Sequence, residues 1–221
     1  MFQKFKVNKI ILNRINREFL DISSVLLNKK FRDLDEILSK ISKKDEKKLF
    51  DVLNLSLKIY DLLNPIKNYI EKKTKKKLLL WTYPQVRIDL KKSNTFSAPL
   101  HKDQWILEKN GNGYVAWIPI NKKGGALKFL SKKIKNLKIK KSTYWGLEID
   151  KKGIETESQK INFGEAVIFD HNKIHESDLN NQRISIQYRF KELKKSIKSR
   201  GINQIIDPRI KKYWIKTLNA K

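Results

Sequence analysis

The sequence predicts an α+β protein with a mainly β core, because its character changes once along the chain. In residues 8–41 and 45–72, apolar side chains recur mostly at three- and four-residue spacing, as they do on one face of a helix. From residue 78, short runs rich in β-branched and aromatic residues alternate with turn clusters such as NGNG at 110–113. Short strands at such close spacing favour an antiparallel sandwich or barrel over alternating β and α units. The predicted strands are LLLWTY, PQVRIDL, QWIL, YVAWIPI, STYWGLEI, EAVIFD and RISIQYRF.

We expect the whole chain to form one domain in three parts. Residues 1–77 should be mainly helical support, with Pro65 kinking or breaking a helix. Residues 78–190 should form the β core and carry the functional site, and residues 191–221 should be a helical tail. With 221 residues, of which 39% are hydrophobic, the chain can bury a substantial core.

The composition restricts the chemistry. The chain contains no cysteine, which excludes disulfides, iron–sulfur clusters and a thiolate nucleophile. Any metal must therefore be held by histidine and carboxylate side chains. No stretch approaches the ~20 apolar residues of a membrane span, and the first residues lack a signal-peptide pattern, so we expect a cytoplasmic protein.

The charge is strongly basic, with 50 basic and 23 acidic residues and a formal net charge of +27. Such an excess can indicate binding to nucleic acid. Only eight of the basic residues are arginine, however, and lysine is spread along the chain rather than confined to one segment. We therefore favour a solvated surface that reflects composition, with weak binding to polyanions, over a dedicated nucleic-acid site.

Two of the three histidines can contribute to one metal site. His101 and Asp103 are two residues apart in a segment that we interpret as extended, so their side chains leave the same face. His175 follows the EAVIFD strand and could supply a third ligand from across the barrel. Two imidazoles and one carboxylate that leave other metal positions open are typical of non-haem Fe(II) oxygenases. His171 would pair with His175 on a helix, but the preceding strand favours a turn or a supporting role.

The strand RISIQYRF adds a possible anion site. Its alternation places Arg183, Ser185, Gln187 and Arg189 on one face, opposite four apolar side chains. A guanidinium binds a carboxylate bidentately, and the Ser185 hydroxyl can add a hydrogen bond. The alternative is an ordinary arginine–acid pair in the sheet.

Residues 98–190 resemble the phytanoyl-CoA dioxygenase-like family of 2-oxoglutarate/Fe(II)-dependent oxygenases. Four blocks in order carry the resemblance: APLHKDQW, YVAWIPINKKGGALKFLS, FGEAVIFDHNKIHES and RISIQYRF. The chain departs from the family at Glu165, where an aspartate is usual, and at SKKIKN after GGALKFL, which leaves the pocket rim undefined.

The resemblance implies a double-stranded β-helix, a jelly-roll or cupin-like barrel, with supporting helices. It implies Fe(II) on His101, Asp103 and His175, 2-oxoglutarate on Arg183 and Ser185, and O₂ as the oxidant. The implied reaction hydroxylates a small molecule while 2-oxoglutarate is decarboxylated to succinate. Arg87 could bind an anionic substrate or form a structural ion pair, and Trp105 and Trp117 could line the pocket or pack in the core. These three are the candidate substrate residues.

Three alternatives stay open at this point. The R-x₅-R spacing of Arg183 and Arg189, together with the charge, would also fit an oxidative nucleic-acid dealkylase. A cupin-like metal-binding or sugar-handling protein would share the barrel, although such proteins usually show H-x-H where this chain has His101-Lys102-Asp103. A binding module that has lost catalysis would keep the same motifs. The sequence specifies no oligomeric state.

Overall fold

The computed structural model describes residues 2–91, 98–103, 113–132, 134, 137–143, 146–178 and 180–193. Within these ranges the protein has a mainly β, α+β fold with four α-helices and two antiparallel sheets of six strands each. This architecture is consistent with a cupin-like fold. None of the helices in the described ranges is both long and apolar enough to cross a membrane.

The first third is mainly helical, as the spacing predicted, and side chains cap most of the helix starts. Asn8, Asp33 and Ser42 each accept a hydrogen bond from a backbone N–H in the first turn of the helix that follows. The prediction that Pro65 breaks a helix is wrong, because α4 (Leu63–Thr74) continues past it. Pro65 lies in the first turn of α4, where a missing N–H costs no intrahelical bond. The helices are α1 (Lys9–Leu27), α2 (Leu34–Lys40), α3 (Lys43–Leu53) and α4 (Leu63–Thr74), with a 3₁₀ helix at Leu57–Leu62.

Sheet I lies next to the helices. Its central strand, β12 (Arg183–Glu192), pairs along one side with β5 (Gly113–Pro119) and along the other with β2 (Leu78–Leu80) and β3 (Gln85–Asp89). Beyond β5 come β10 (Glu165–Asp170) and, at the edge, β1 (Phe2–Lys6). β12 continues two residues past the predicted boundary at residue 190.

Sheet II contains the strand that begins the H-x-D motif. Its strands run in the order β7, β8, β4, β11, β6 and β9. β4 is only two residues long and is paired on both sides. The strands are β4 (His101–Lys102), β6 (Gly125–Leu130), β7 (Ile139–Thr143), β8 (Gly146–Ile149), β9 (Thr156–Ile161) and β11 (His175–Ser177).

The central strands of sheet I, β3, β5 and β12, are buried on both faces. Alternate residues of β12, from Ile184 to Phe190, pack with the helices in the largest apolar cluster. On the opposite face of sheet I, Trp117 and Phe169 pack against Leu127 and Phe129 of sheet II. The two sheets therefore face each other, and the side chains between them determine what chemistry the interior can carry.

Several sequence predictions need correction or lie outside the described residues. The edge strands β1 and β9 were not predicted, because their short polar sequences resemble surface loops. STYWGLEI forms parts of two strands rather than one, on either side of residues 144–145. The predicted helical tail over 191–221 begins with two residues of β12, and its residues 194–221, like the QWIL strand, fall outside the described ranges.

Candidate metal centre and adjoining cleft

His101 and His175 are direct neighbours in sheet II. They are Cα partners across the antiparallel pair of β4 and β11, and their ring centroids lie 4.3 Å apart. Both side chains are buried. The prediction that His175 reaches the site from across the barrel is therefore wrong, because the two histidines lie side by side on adjacent strands.

Hydrogen bonds to the backbone orient both imidazoles in the same way. Nδ1 of His101 lies 2.7 Å from the carbonyl oxygen of Pro99, and Nδ1 of His175 lies 2.9 Å from that of Lys173. Because a carbonyl oxygen only accepts, each Nδ1 must carry the proton and donate it. Each Nε2 therefore keeps its lone pair, which is the form that binds a metal.

Asp103 completes a group of three buried ligands. Its Oδ1 lies 3.9 Å from Nε2 of His101, and its Oδ2 lies 3.7 Å from Nε2 of His175. One candidate ligand atom from each of the three residues lies within 4.8 Å of the others. Asp103 is fully buried, yet its Oδ2 accepts no hydrogen bond from any described residue. A buried carboxylate oxygen without a partner is costly, and a cation would satisfy it.

The protonation states also suit a metal. Burial lowers the pKa of His101 from its ordinary 6.5 to about 3, with a further contribution from His175. Burial likewise lowers the pKa of His175. For Asp103 burial acts in the opposite direction, but the Arg189 guanidinium and the two histidines outweigh it and the pKa is lowered. At neutral pH the site therefore offers two neutral imidazoles and one carboxylate, as metal binding requires.

Arg189 holds the other oxygen of Asp103. Its Nε and Nη2 both donate to Asp103 Oδ1 at 3.3 Å, and its remaining donors bond Gln85 Oε1 at 2.7 Å and Gln187 Oε1 at 3.0 Å. The alternation of β12 predicted Arg189 on the same face as Arg183, but it indicated no contact with the metal ligands. The structure assigns it to Asp103, so Oδ1 is held by the protein while Oδ2 has no such partner.

The pairing of β3 with β12 lines the interior with polar groups. In this register Arg183 lies opposite Asp89, Ser185 opposite Arg87, and Gln187 opposite Gln85. All six residues are buried. The alternation predicted for RISIQYRF is confirmed, because the intervening apolar side chains pack towards the helices.

Arg183 is deeply buried and held from several directions. Its Nη1 donates to the carbonyl oxygens of Ala126 at 2.7 Å and Asp178 at 3.3 Å, and its Nη2 lies 2.9 Å from Asp89 Oδ2. Its guanidinium carbon lies 5.3 Å from the centre of the Trp117 ring. Two polar atoms on this face, Nε of Arg183 and Oγ of Ser185, are buried without a hydrogen-bond partner among the described residues.

Gly125 permits this packing. A Cβ at this position would lie 2.8 Å from Cδ of Arg183 and 2.9 Å from Cη2 of Trp117. Any larger residue would displace the arginine or the tryptophan, so the G-A-L segment has a steric reason for its glycine.

A narrow cleft joins the histidines to this arginine. Its cavity volume is only about 10 Å³, and it brings Arg87 and Trp117, two of the candidate substrate residues, together with His101, His175 and Arg183. Arg87 also forms an ion pair, with its Nη2 3.6 Å from Asp89 Oδ1, as one of the two roles considered for it requires. The remaining lining residues are Ala98, Leu127, Ser177 and Gln187.

Other predicted positions lie apart from this group. Trp105 falls outside the described residues, as do three of the six residues of the SKKIKN rim segment. His171 lies in a turn, where its Nδ1 is 2.9 Å from the backbone N of Gly113. Because His175 is in a strand, the two histidines do not form a helical metal pair. Glu165 accepts a hydrogen bond from the backbone N–H of Asn162 and so closes a turn.

Neither a protein-family model nor a curated protein matches the chain. Among solved structures, it is similar to EvdO2 from Micromonospora carbonacea var. aurantiaca complexed with 2-oxoglutarate, at 15% identity and a TM-score of 0.40. This match covers 68% of this chain and 65% of EvdO2, so the chain spans just under two thirds of that protein. It is also similar to AviO1 from Streptomyces viridochromogenes Tue57, at 12% identity and a TM-score of 0.49. This match covers 86% of this chain and 89% of AviO1. A third match is HygX from Streptomyces hygroscopicus with nickel and 2-oxoglutarate bound, at 10% identity and a TM-score of 0.45, with 86% and 82% covered.

Proposed function

We propose that the protein is a mononuclear non-haem Fe(II) dioxygenase that uses 2-oxoglutarate and O₂ to hydroxylate a small molecule. One observation carries the proposal. Asp103 is fully buried and has one oxygen without a partner among the described residues, and Nε2 of His101 and Nε2 of His175 lie 3.9 and 3.7 Å from its carboxylate oxygens. The Nδ1 hydrogen bonds of both histidines leave each Nε2 with a free lone pair. Two histidines and one carboxylate on one side of a metal are the donor set of non-haem Fe(II) oxygenases.

The residues present fit the metal. His101, Asp103 and His175 would hold Fe(II), and the iron would supply the activation of O₂, which no protein side chain provides. The protein's own contribution is to orient the three ligands through Pro99, Lys173 and Arg189, and to keep the site buried from solvent.

Arg183 and Ser185 are the proposed binding residues for the distal carboxylate of 2-oxoglutarate. They lie on the same face of β12, and Arg183 shares the cleft with both histidines. Their unpartnered Nε–H and hydroxyl are a donor pair that suits a carboxylate. The keto end of the co-substrate would then point along the cleft towards the metal ligands.

The substrate would enter through the same cleft. Trp117 presents an aromatic wall there, and Arg87 a cation that would favour an anionic substrate. We further propose that the sheets form a double-stranded β-helix and belong to one domain with the helices, because a single apolar cluster joins the helices to sheet I.

The contact of Arg189 with Asp103 bears on the alternative of a nucleic-acid dealkylase. That alternative used the R-x₅-R spacing of Arg183 and Arg189. Since Arg189 is buried against a proposed metal ligand and two glutamines, the spacing has an explanation within the site that involves no nucleic acid.

Anaerobic loading with Fe(II), followed by 2-oxoglutarate, tests the proposal. We expect the visible charge-transfer band that is characteristic of the iron–keto-acid complex in this class of enzyme. A folded, iron-loaded protein that gives no band and no heat of 2-oxoglutarate binding would refute it.

Two variants separate the proposed roles. Asp103→Ala should abolish Fe(II) binding, because it removes the only anionic ligand. Arg183→Ala should raise the dissociation constant of 2-oxoglutarate by about 100-fold, in line with loss of a charged hydrogen-bonded contact, and leave Fe(II) affinity nearly unchanged. If both variants bound iron and keto acid normally, the residue assignments would be wrong.

A further inference from the structure

Asp89 occupies an unusual position beside the proposed anion site. It is buried next to two arginines, with Oδ2 2.9 Å from Nη2 of Arg183 and Oδ1 3.6 Å from Nη2 of Arg87. Despite these short distances, neither Asp89 oxygen accepts an aligned hydrogen bond from any described residue. Asp89 therefore contributes charge to this cluster, but little directional bonding.

Arg183 is positioned by other groups. Its Nη1 donates to the backbone carbonyls of Ala126 and Asp178, and its guanidinium carbon lies 5.3 Å from the centre of the Trp117 ring. These contacts use uncharged groups, which leave the guanidinium charge unbalanced. A buried cation needs a counter-charge nearby, and Asp89 is the carboxylate that lies against it.

We propose that Asp89 is an internal counter-ion that competes with the co-substrate's carboxylate for Arg183. This inference rests on the proposed function, because it assumes that a carboxylate binds at Arg183. In the ligand-free protein Asp89 balances the buried guanidinium, and a bound keto acid places a second carboxylate on the same cation.

The sign of the effect follows from Coulomb's law. Two carboxylates at one guanidinium repel each other, so Asp89 lowers the affinity of the site for anions. Removal of the Asp89 charge should therefore strengthen anion binding. It should also destabilise the ligand-free protein, because the buried guanidinium of Arg183 then lacks its counter-charge. If Asp89 merely supported the fold, its replacement would instead weaken anion binding and lower the stability of the ligand-free protein.

Asp89→Asn is the direct test, since it removes the charge and keeps the shape. In the full-length, anaerobic Fe(II)-loaded protein, calorimetry should give a dissociation constant for 2-oxoglutarate about tenfold lower than in the wild type. The ligand-free variant should melt at a lower temperature, and saturating 2-oxoglutarate should raise its melting temperature more than it raises that of the wild type.

Asp35→Asn is a matched control. Asp35 is also a buried carboxylate, but it accepts hydrogen bonds from Asn121 and Lys123 and does not line the cleft. This variant should lose stability without any gain in 2-oxoglutarate affinity. An equal gain in both variants would show that general charge, rather than Asp89, sets the affinity, and would overturn the inference.

Glutarate separates this inference from the proposed function, because it keeps the distal carboxylate but lacks the keto group. In the metal-free protein, Asp89→Asn should bind glutarate more tightly than the wild type does. If the wild type bound no 2-oxoglutarate but glutarate still showed this gain, the proposed function would fall and the counter-ion would stand. If the wild type bound 2-oxoglutarate and Asp89→Asn bound it equally or more weakly, only the counter-ion would be refuted. The counter-ion would also be refuted if Asp89→Asn bound neither glutarate nor 2-oxoglutarate more tightly than the wild type does.

A second variant covers the case in which Asp89→Asn fails to fold. The double variant Asp89→Asn/Arg183→Met removes both charges of the closer ion pair and should be more stable than Asp89→Asn, because only the more distant guanidinium of Arg87 then lacks this counter-charge. It should bind neither glutarate nor 2-oxoglutarate. A double variant that also failed to fold would show that Asp89 has a structural role beyond charge balance and would contradict the proposal.

Discussion

The two faces of strand β12 differ in almost every property although they are formed by alternate residues of one segment. Towards the helices the strand presents Ile184, Ile186, Tyr188 and Phe190, all fully buried in the largest apolar cluster. Towards sheet II it presents Arg183, Ser185, Gln187 and Arg189, which are buried just as deeply.

The apolar face of β12 contributes to the stability of the fold, whereas its polar face carries the groups that can bind ligands. The helix-facing side is held mainly by non-directional apolar packing, with one hydrogen bond from the Tyr188 hydroxyl to the carbonyl oxygen of Ile59. The other side works only through specific partners, because each buried charge must find its counter-charge. We therefore expect substitutions on one face to change the free energy of unfolding, and substitutions on the other to change ligand binding as well.

Ile186→Asp should have the largest effect. It would place an unpaired carboxylate among apolar side chains, at a cost that exceeds the total stability of most domains, so no folded protein is expected. Ile186→Val, the control, should cost about 1 kcal/mol in urea unfolding and leave Fe(II) binding intact. Folded, stable Ile186→Asp protein would contradict the assignment of this face.

Arg189→Met should cost about 3 kcal/mol, because it leaves the Asp103 carboxylate buried without its guanidinium. Fe(II) should stabilise this variant more than it stabilises the wild type, since the metal replaces the missing positive charge. Urea unfolding with and without Fe(II) measures both effects. In the double variant Arg189→Met/Asp103→Asn, much of the metal-free stability should return, and strictly additive losses would show that the pair is not coupled.

Acid should destabilise the metal-free protein through the histidines. The folded-state pKa of His101 is about 3 and its ordinary value is 6.5, so the unfolded chain takes up a proton first as the pH falls. The contribution of His101 to the free energy of unfolding is therefore fully present above pH 6.5. It is lost as the pH falls towards 3, by about 1.4 kcal/mol per pH unit. Urea unfolding at pH 7 and 5.5 should show this slope, and His101→Gln should reduce it. An unchanged slope in that variant would assign the acid sensitivity to other groups.

Gln187→Ala should have the smallest effect. It removes one of the hydrogen bonds that orient Arg189 and should cost about 1 kcal/mol in urea unfolding. Because Gln85 still holds Nη1, we expect Fe(II) affinity to change less than threefold, in proportion to a loss well under 1 kcal/mol. A larger loss of Fe(II) affinity would show that Arg189 depends on Gln187 for its position.

The elements with strong periodicity could be predicted from sequence. The alternation in β12 gave both of its faces, and the apolar spacing gave the helical first third. The grouping of His101, Asp103 and His175 followed from motif resemblance, and the three residues do lie together. The two periodicities could be predicted because each is determined within a single element, whereas the triad joins two strands and depended on the motif resemblance.

The remaining features depend on contacts between distant segments. The edge strands β1 and β9 have too little apolar alternation to predict, and they form because β10 and β6 offer unpaired edges. The pairing of Arg189 with Asp103 joins residues 86 positions apart. The sequence did not single out Asp89, because its proposed role depends on the strand register that places it opposite Arg183.

The brevity of β4 has a consequence for how the chain is tied together. This two-residue strand is held in sheet II by few backbone bonds, yet His101 and the adjacent Asp103 belong to the metal-capable group with His175. An ion bound there would act as a cross-link between segments far apart in the chain, and would restrict the unfolded state much as a disulfide does. In a protein without cysteine, such a link would make occupancy of the metal centre a determinant of whether β4 stays in register.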